Sequence, residues 1–438
     1  MPSPTEGQAI STLGKAFPVA REWVGGDFMV SVGWGLIFGL ICLSGAGLRG
    51  NESELEKRDL LMLPGPTEVS ETVYEAMRKP LINHRGKKFR ELHIGLVDKL
   101  RKLVGTSQDV YVLTCSGTGG VEAAVANVIG RDDRVVSFVS GQFGERMAAA
   151  ASFYTDNLTT VELPWRRAPT SEDVRRALRE QNGVDAVLLV HNETSTGGLA
   201  PHIERIAEEC RRAGALLVVD AVTSLGGVKF GFDEAGIDVL VGGTQKCLAA
   251  PPGLAVIAVS KRAWEKIESL KKRPAYFDLL LHRKFMERGE TPYTPAISLL
   301  YGLDVALDRV ISFGVDRWVE RHRIGAEAYY RVADELGLEI YPEPSFRSTT
   351  LIAVYLPDGV KDASVAEIMA EEFGVHVGVG VSKEKGRMIR IGSMGEVTPE
   401  KTKRTLRALY KALSKHKVKL NAGERVIDQI VDEHFSEA

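Results

Sequence analysis

Lys246 stands between an apolar run, "IDVLVGG", and an Ala-Pro-Pro-Gly turn. A lysine there must pair, reach solvent or react. Covalent chemistry asks for partial burial and a lowered pKa, so that a neutral amine is available. By itself the position favours a paired or exposed lysine. One strand-and-loop unit upstream, Asp220 ends the apolar run of "LLVVDAVTSLGG". A carboxylate there is partly buried and needs a partner, which a salt bridge, a helix cap or a bound cation would supply. A third loop, "TCSGTGGVEAA" from Thr114 to Ala124, is a glycine-rich turn feeding a helix. Its unpaired N–H groups and positive dipole end suit an anion, and Ser116 and Thr118 add hydroxyl donors. It is neither a Walker loop nor a full dinucleotide fingerprint, so alone it reads equally well as a tight turn with no ligand. In "HNETSTG", His191 to Gly197, hydroxyls and an amide gather at another strand end. His191 is expected to pack or orient its neighbours.

The elements that carry these loops repeat one theme. From about Asp109 to Ser260, apolar strands alternate with polar loops and helices, as in "VDAVLLVHNETSTGGLAPHIERIAEECRRAGALLVVDA". Strands that are apolar throughout imply a mostly parallel sheet covered on both faces. In such sheets functional groups collect outside the carboxyl ends of the strands. Four loops at those ends therefore belong together. A phosphate cradle, a strand-end Asp and a strand-end Lys fit pyridoxal phosphate: the lysine forms a Schiff base, the aspartate keeps the pyridine nitrogen protonated and the helix N-terminus holds the phosphate. No HExxH or Cys/His cluster supports zinc, and no GxSxG supports a serine triad.

Six motifs in order, "LPGPTEV", "CSGTGGVEAA", "HNETSTGG", "VVDAVTSLGG", "DVLVGGTQKCLAAPPG" and "RIGSMG", resemble the class V aminotransferases of fold type I. The alanine–glyoxylate and serine–pyruvate branch is the most similar, over about Leu60 to Leu413. The resemblance implies an α/β fold, with a mostly parallel central sheet in a large domain and a smaller C-terminal α+β domain. It implies a homodimeric transaminase with active sites at the subunit interface. Amino groups would pass from alanine or serine to glyoxylate or pyruvate. Carried over by position, Lys246 is the covalent lysine and Asp220 the pyridinium partner. Ser116, Gly117, Thr118 and Gly119 hold the phosphate with Gln245, and Thr194 lies near the ring hydroxyl. Arg390 clamps the substrate carboxylate in a bidentate fork. Phe143, in "SGQFGER", takes the place of the family's frequent Trp, which keeps ring stacking and removes the indole N–H. Tyr293 and Thr294, in "ETPYTPAISLLYG", are the candidates for reaching a neighbouring subunit's phosphate. The glycine loop is two residues shorter than in mammalian-like members.

Composition sets outer bounds. The chain has 438 residues with 56 basic and 58 acidic side chains interspersed, so it carries no electrostatic footprint for nucleic acid. Cys42, Cys115, Cys210 and Cys247 are scattered, which fits a reducing, cytoplasmic setting. Cys247 reads as a small buried side chain before it reads as a reactive thiol. Residues 1–58 are expected to lie outside the fold, with a large domain over 59–314 and a small one over 315–438. The uncharged stretch Phe28 to Leu48 is close to membrane-spanning length. A translated stretch upstream of the true start is the preferred reading, ahead of a membrane anchor and a secretion signal. Two rival functions remain. A desulfurase or other lyase on the same fold needs a nucleophilic cysteine on a late loop, and none follows Cys247. A non-catalytic, membrane-tethered binding protein would rest on residues 28–48.

Overall fold

The computed structural model of the chain describes residues 58–436; the apolar stretch 28–48, and every reading attached to it, lies outside them. Ala186–Val190 and Leu216–Asp220 are buried along their whole length. Successive side chains of a strand face opposite ways, and here both directions are apolar. Val187, Leu189, Leu217 and Val219 pack into one core on one face. Leu188, Val190, Leu216 and Val218 pack into a second core on the other. Helices supply the remaining wall of each, which gives the layered α/β arrangement expected.

The large sheet runs in the order Asp109–Leu113, Ala255–Val259, Val239–Gly243, Leu216–Asp220, Ala186–Val190, Arg134–Val139, Asn157–Glu162. Every pairing is parallel except the two made by Ala255–Val259. That exception has a local cause. The chain returns from Val239–Gly243 through a short loop, whereas parallel neighbours need a crossover of roughly a dozen residues or more. Thr244 closes the loop, donating its N–H to the Leu254 carbonyl at 3.3 Å and its hydroxyl to the Pro251 carbonyl at 2.7 Å. Lys246 rides on this loop.

A second sheet runs Leu60–Met62, Val375–Val379, Met388–Gly392, Leu351–Tyr355, Glu339–Ile340. Its first strand, Leu60–Met62, comes from the stretch assigned to the large domain. Leu60 pairs in parallel register with Val375, so the start of the fold belongs to the second sheet and not to the large one. Pro64, which has no N–H to give a ladder, then ends the strand and turns the chain toward the Lys246 loop. The helical stretch after residue 296 is two helices, Ile297–Phe313 and Val315–Leu336. They part at Gly314, whose φ of +97° suits glycine. The amphipathic tail is the helix Arg425–Ser436, which lays Ile427, Ile430 and Val431 at helical spacing into the second sheet's core.

Candidate active site

Lys246 is 8% exposed and held from several sides. Its ammonium donates to the Pro64 carbonyl. The Thr67 hydroxyl donates to the Lys246 carbonyl at 3.0 Å, and the Thr67 N–H to that of Gln245 at 3.1 Å. The Trp318 indole donates to the Cys247 carbonyl at 2.9 Å. Gly65 covers the lysine side chain: its φ is +107°, and a Cβ there would lie 2.7 Å from Lys246 Cδ and Cε. Only glycine meets both conditions. Burial lowers the amine to about 8, a pull that Cys247 and Asp220 oppose and Arg390 reinforces. The Cys247 thiol is pushed up to about 12 by burial and donates to the Thr223 carbonyl at 3.3 Å, so this cysteine packs, as expected.

Asp220 closes Leu216–Asp220 at the carboxyl end of the sheet. Its Oδ1 accepts the Val222 N–H at 2.9 Å. Burial raises the carboxyl to about 7, against the Val222 hydrogen bond, with Glu193 adding to the rise and Lys246 opposing it. One strand-end aspartate and one loop lysine, both drawn toward neutrality, thus face a common cleft of about 440 Å³.

The helix Gly117–Val128 forms the cleft's anion-facing end. Ser116 caps it by accepting the Gly119 N–H at 3.3 Å. That leaves the first-turn N–H groups of Gly117 and Thr118 without a partner among the described residues. Gly120 seats the helix on the sheet, since a Cβ would come within 2.8 Å of Ala255 Cβ and Val241 Cγ1. Ser116, Gly117, Thr118, Phe143, Thr194 and Gln245 line the cleft together with Asp220 and Lys246. Gly119 is not among the lining residues, and its N–H is engaged by Ser116. The Thr194 hydroxyl shares a 2.6 Å hydrogen bond with that of Thr223.

Arg390 enters from the second sheet, on Met388–Gly392. Its Nε donates to the Val379 carbonyl at 2.8 Å and its Nη1 to the Thr194 carbonyl at 2.9 Å. Burial lowers the guanidinium to about 10, which Glu193 and Asp362 oppose. It forms no ion pair among the described residues, so a charged fork is held next to the cleft without an anion.

Tyr293 and Thr294 are not brought to this cleft. They line a separate depression with Thr114, Tyr276 and His282, where Tyr293 is half-exposed, stacks on Tyr276 and donates to the Ala275 carbonyl. His191 is buried, bonded to Ser224 and edge-on to Phe230; burial lowers it to about 4, so it is neutral and structural. Sequence reasoning missed Gly65, Thr67, Thr223 and Glu193. The Pro-Gly-Pro motif signals a turn without saying what it covers. Glu193 carried the same sign that exposed Asp220, a carboxylate beside a fully apolar strand.

These residues fit pyridoxal phosphate on features of the site itself. Among the described residues, Asp220 Oδ2 accepts no hydrogen bond and the Gly117 and Thr118 N–H groups meet no acceptor. A phosphate at the helix end and a ring nitrogen at Asp220 answer those open positions.

The comparisons agree. The family model described as Aminotransferase class-V matches residues 61–399. An uncharacterised aminotransferase of Methanocaldococcus jannaschii is 38% identical, over 81% of this chain and 93% of its own. The serine–glyoxylate aminotransferase of Methylorubrum extorquens is 32% identical, over 78% of this chain and 87% of its own. The crystal structure of an alanine–glyoxylate aminotransferase from Nostoc sp. superposes with a TM-score of 0.78 at 32% identity, covering 85% of this chain and 98% of that one. A buried lysine opposite a strand-end aspartate, a phosphate-ready helix and this breadth of likeness converge: the chain belongs to the class V aminotransferases, pyridoxal-phosphate-dependent enzymes of fold type I.

Proposed function

We propose that the enzyme moves the amino group of a small uncharged amino acid, alanine or serine, to a small 2-oxo acid, glyoxylate or pyruvate. The observation that carries this is the charge of the cleft. Lys246 is the sole basic residue among its lining side chains, and Arg390 beside it supplies a single fork for a single carboxylate. A second carboxylate on the substrate would enter without a partner, at the cost of desolvating a charge. The activities named for the Methylorubrum and Nostoc relatives agree with this choice.

Pyridoxal phosphate, when bound, supplies the aldehyde that takes the amine and the ring that stores the electron pair left on the α-carbon. The chain does the rest. Lys246, with an amine near 8, would hold the cofactor covalently and, when free, would serve as the general acid–base at the substrate α-carbon. Asp220 holds the proton on the ring nitrogen. Gly117, Thr118 and Gln245 orient the phosphate end, and Phe143 stacks on the ring. Arg390 fixes the carboxylate, so that the α-hydrogen faces the lysine. The two half-reactions alternate on one site, in ping-pong order. We also read the enzyme as a cytoplasmic homodimer in which Tyr293 and Thr294 serve the neighbouring subunit's phosphate. Family likeness and the free, buried state of Cys210 and Cys247 support that reading. Desulfuration is disfavoured: Cys115 is also pushed to about 12 by burial.

The test adds amino acids singly to the purified holoenzyme and follows loss of the visible cofactor band, with the oxo acid identified as product. Alanine or serine should react fastest. Preference for aspartate or glutamate, or release of sulfide from cysteine, would overturn the proposal.

A further inference from the structure

Glu193 has no exposed surface, and it forms no ion pair among the described residues. Donors surround it. Its Oε2 accepts the Gly144 N–H at 3.0 Å. Its Oε1 accepts the Phe143 N–H at 3.3 Å, the Ser195 N–H at 3.0 Å and the Ser195 hydroxyl at 2.5 Å. The Ser195 oxygen in turn accepts the Gln142 N–H at 2.9 Å. The N–H groups of Gln142, Phe143 and Gly144, the first three residues of the helix Gln142–Ser152, therefore end on Glu193 or Ser195. The helix has no cap of its own. Its N-cap residue is Gly141, where a Cβ would fall on the Glu193 and Ser195 side chains. A local Ser or Asp cap would satisfy the turn and leave the helix free to shift. This one ties the turn to the segment that follows the neighbouring strand, Ala186–Val190.

Four donors, and none that needs the carboxyl to donate back, suit an ionised carboxylate, as does the positive end of the helix. Burial pushes the carboxyl up against those four hydrogen bonds. The titratable groups that feel it are Asp220 and Arg390. The second residue of the anchored turn is Phe143, whose ring lines the cleft. The next residue along the strand end is Thr194, whose carbonyl holds Arg390.

We propose that Glu193 is a positioning residue: it anchors the helix turn that carries Phe143, and thereby sets the plane on which the cofactor ring stacks. This rests on the pyridoxal phosphate reading above, and the test separates the two. Glu193→Gln keeps the shape but turns one acceptor into an amide donor facing N–H groups. The cycle comprises wild type, Glu193→Gln, Phe143→Ala and the double variant. The readouts are the pyridoxal phosphate dissociation constant and the circular dichroism induced in the visible cofactor band, which reports ring orientation.

Each single variant should weaken cofactor binding by about tenfold, the scale of an aromatic stack, and change the induced band. The double should be within about twofold of Phe143→Ala alone, because a mispositioned ring cannot matter once the ring is gone. Additive losses, near a hundredfold, would overturn the proposal. So would a Glu193→Gln protein with unchanged affinity and band. If far-ultraviolet dichroism shows that Glu193→Gln does not fold, Ser195→Ala takes its place under the same criteria, since it removes the Gln142 anchor without touching a charge. Wild-type protein that takes up no pyridoxal phosphate would sink the cofactor reading itself; wild-type binding with an additive cycle would sink the role of Glu193 alone.

Discussion

Replacing Arg390 by lysine keeps the charge and tests the geometry. The guanidinium is buried on Met388–Gly392, anchored by Nε to the Val379 carbonyl and by Nη1 to the Thr194 carbonyl. Those two anchors fix the guanidinium beside Thr194, which lines the cleft. Lysine loses both, and it offers a carboxylate a point charge in place of a planar pair of donors. A hydrogen bond to a charged group is worth roughly 1.5–3 kcal/mol. Losing one such bond and the orientation that the anchors impose comes to roughly 3–4 kcal/mol, or about 10²–10³ in kcat/KM. The assay is the half-reaction rate with the best donor, taken as the slope against donor concentration. Arg390 does not line the cofactor cleft, so the cofactor dissociation constant should stay within about twofold. A slope within about fivefold of wild type would refute the reasoning. So would a deficit that excess cofactor repairs.

Lys246→Ala should lower turnover by at least about a thousandfold, in line with losing a general acid–base, and borohydride should no longer fix cofactor to the protein; fixation that persists would point to another lysine. In the apo-protein, cofactor capture should quicken as pH rises through about 8, because burial holds the Lys246 amine there and only the neutral form adds; a flat rate from pH 7 to 9 would count against it. Asp220 is raised by burial from 3.8 to about 7. In that window the folded apo-protein keeps a proton that the unfolded chain gives up, so its stability falls as pH rises. Melting curves of apo wild type and Asp220→Asn should therefore diverge toward pH 7, with the variant the more stable there; parallel curves would reject the shift. Gly65→Ala combines a positive φ with a Cβ pressed on Lys246, and should cost roughly 2–4 kcal/mol in urea unfolding. An unchanged midpoint would mean that the turn relaxes.

What the sequence disclosed, it disclosed through contrast. Lys246 and Asp220 stand out because each ends an apolar run, and a buried charge demands an explanation. The alternating apolar strands gave the layered core for the same reason. The Leu60–Met62 strand escaped because three residues carry no measurable period, and its partner lies at Val375, far along the chain. Gly119 reads as a phosphate ligand by position, and in the structure its N–H also bonds the Ser116 cap. Competition between local hydrogen bonds of that kind cannot be read from spacing. Glu193 sat inside a quoted motif, and its partners, Phe143 and Gly144, become neighbours only when two strand ends meet in the sheet.

The pairing of Leu60 with Val375 has a consequence for biosynthesis. Pro64 and Gly65, which cover the reactive lysine, hang from an edge strand whose partner lies far along the chain. Synthesis runs from Leu60 to Val375, so the strand that carries the lysine's cover gains its ladder partner only after Lys246 itself has been made. The shelter over the amine is thus a property of the second sheet as much as of the loop that bears the lysine.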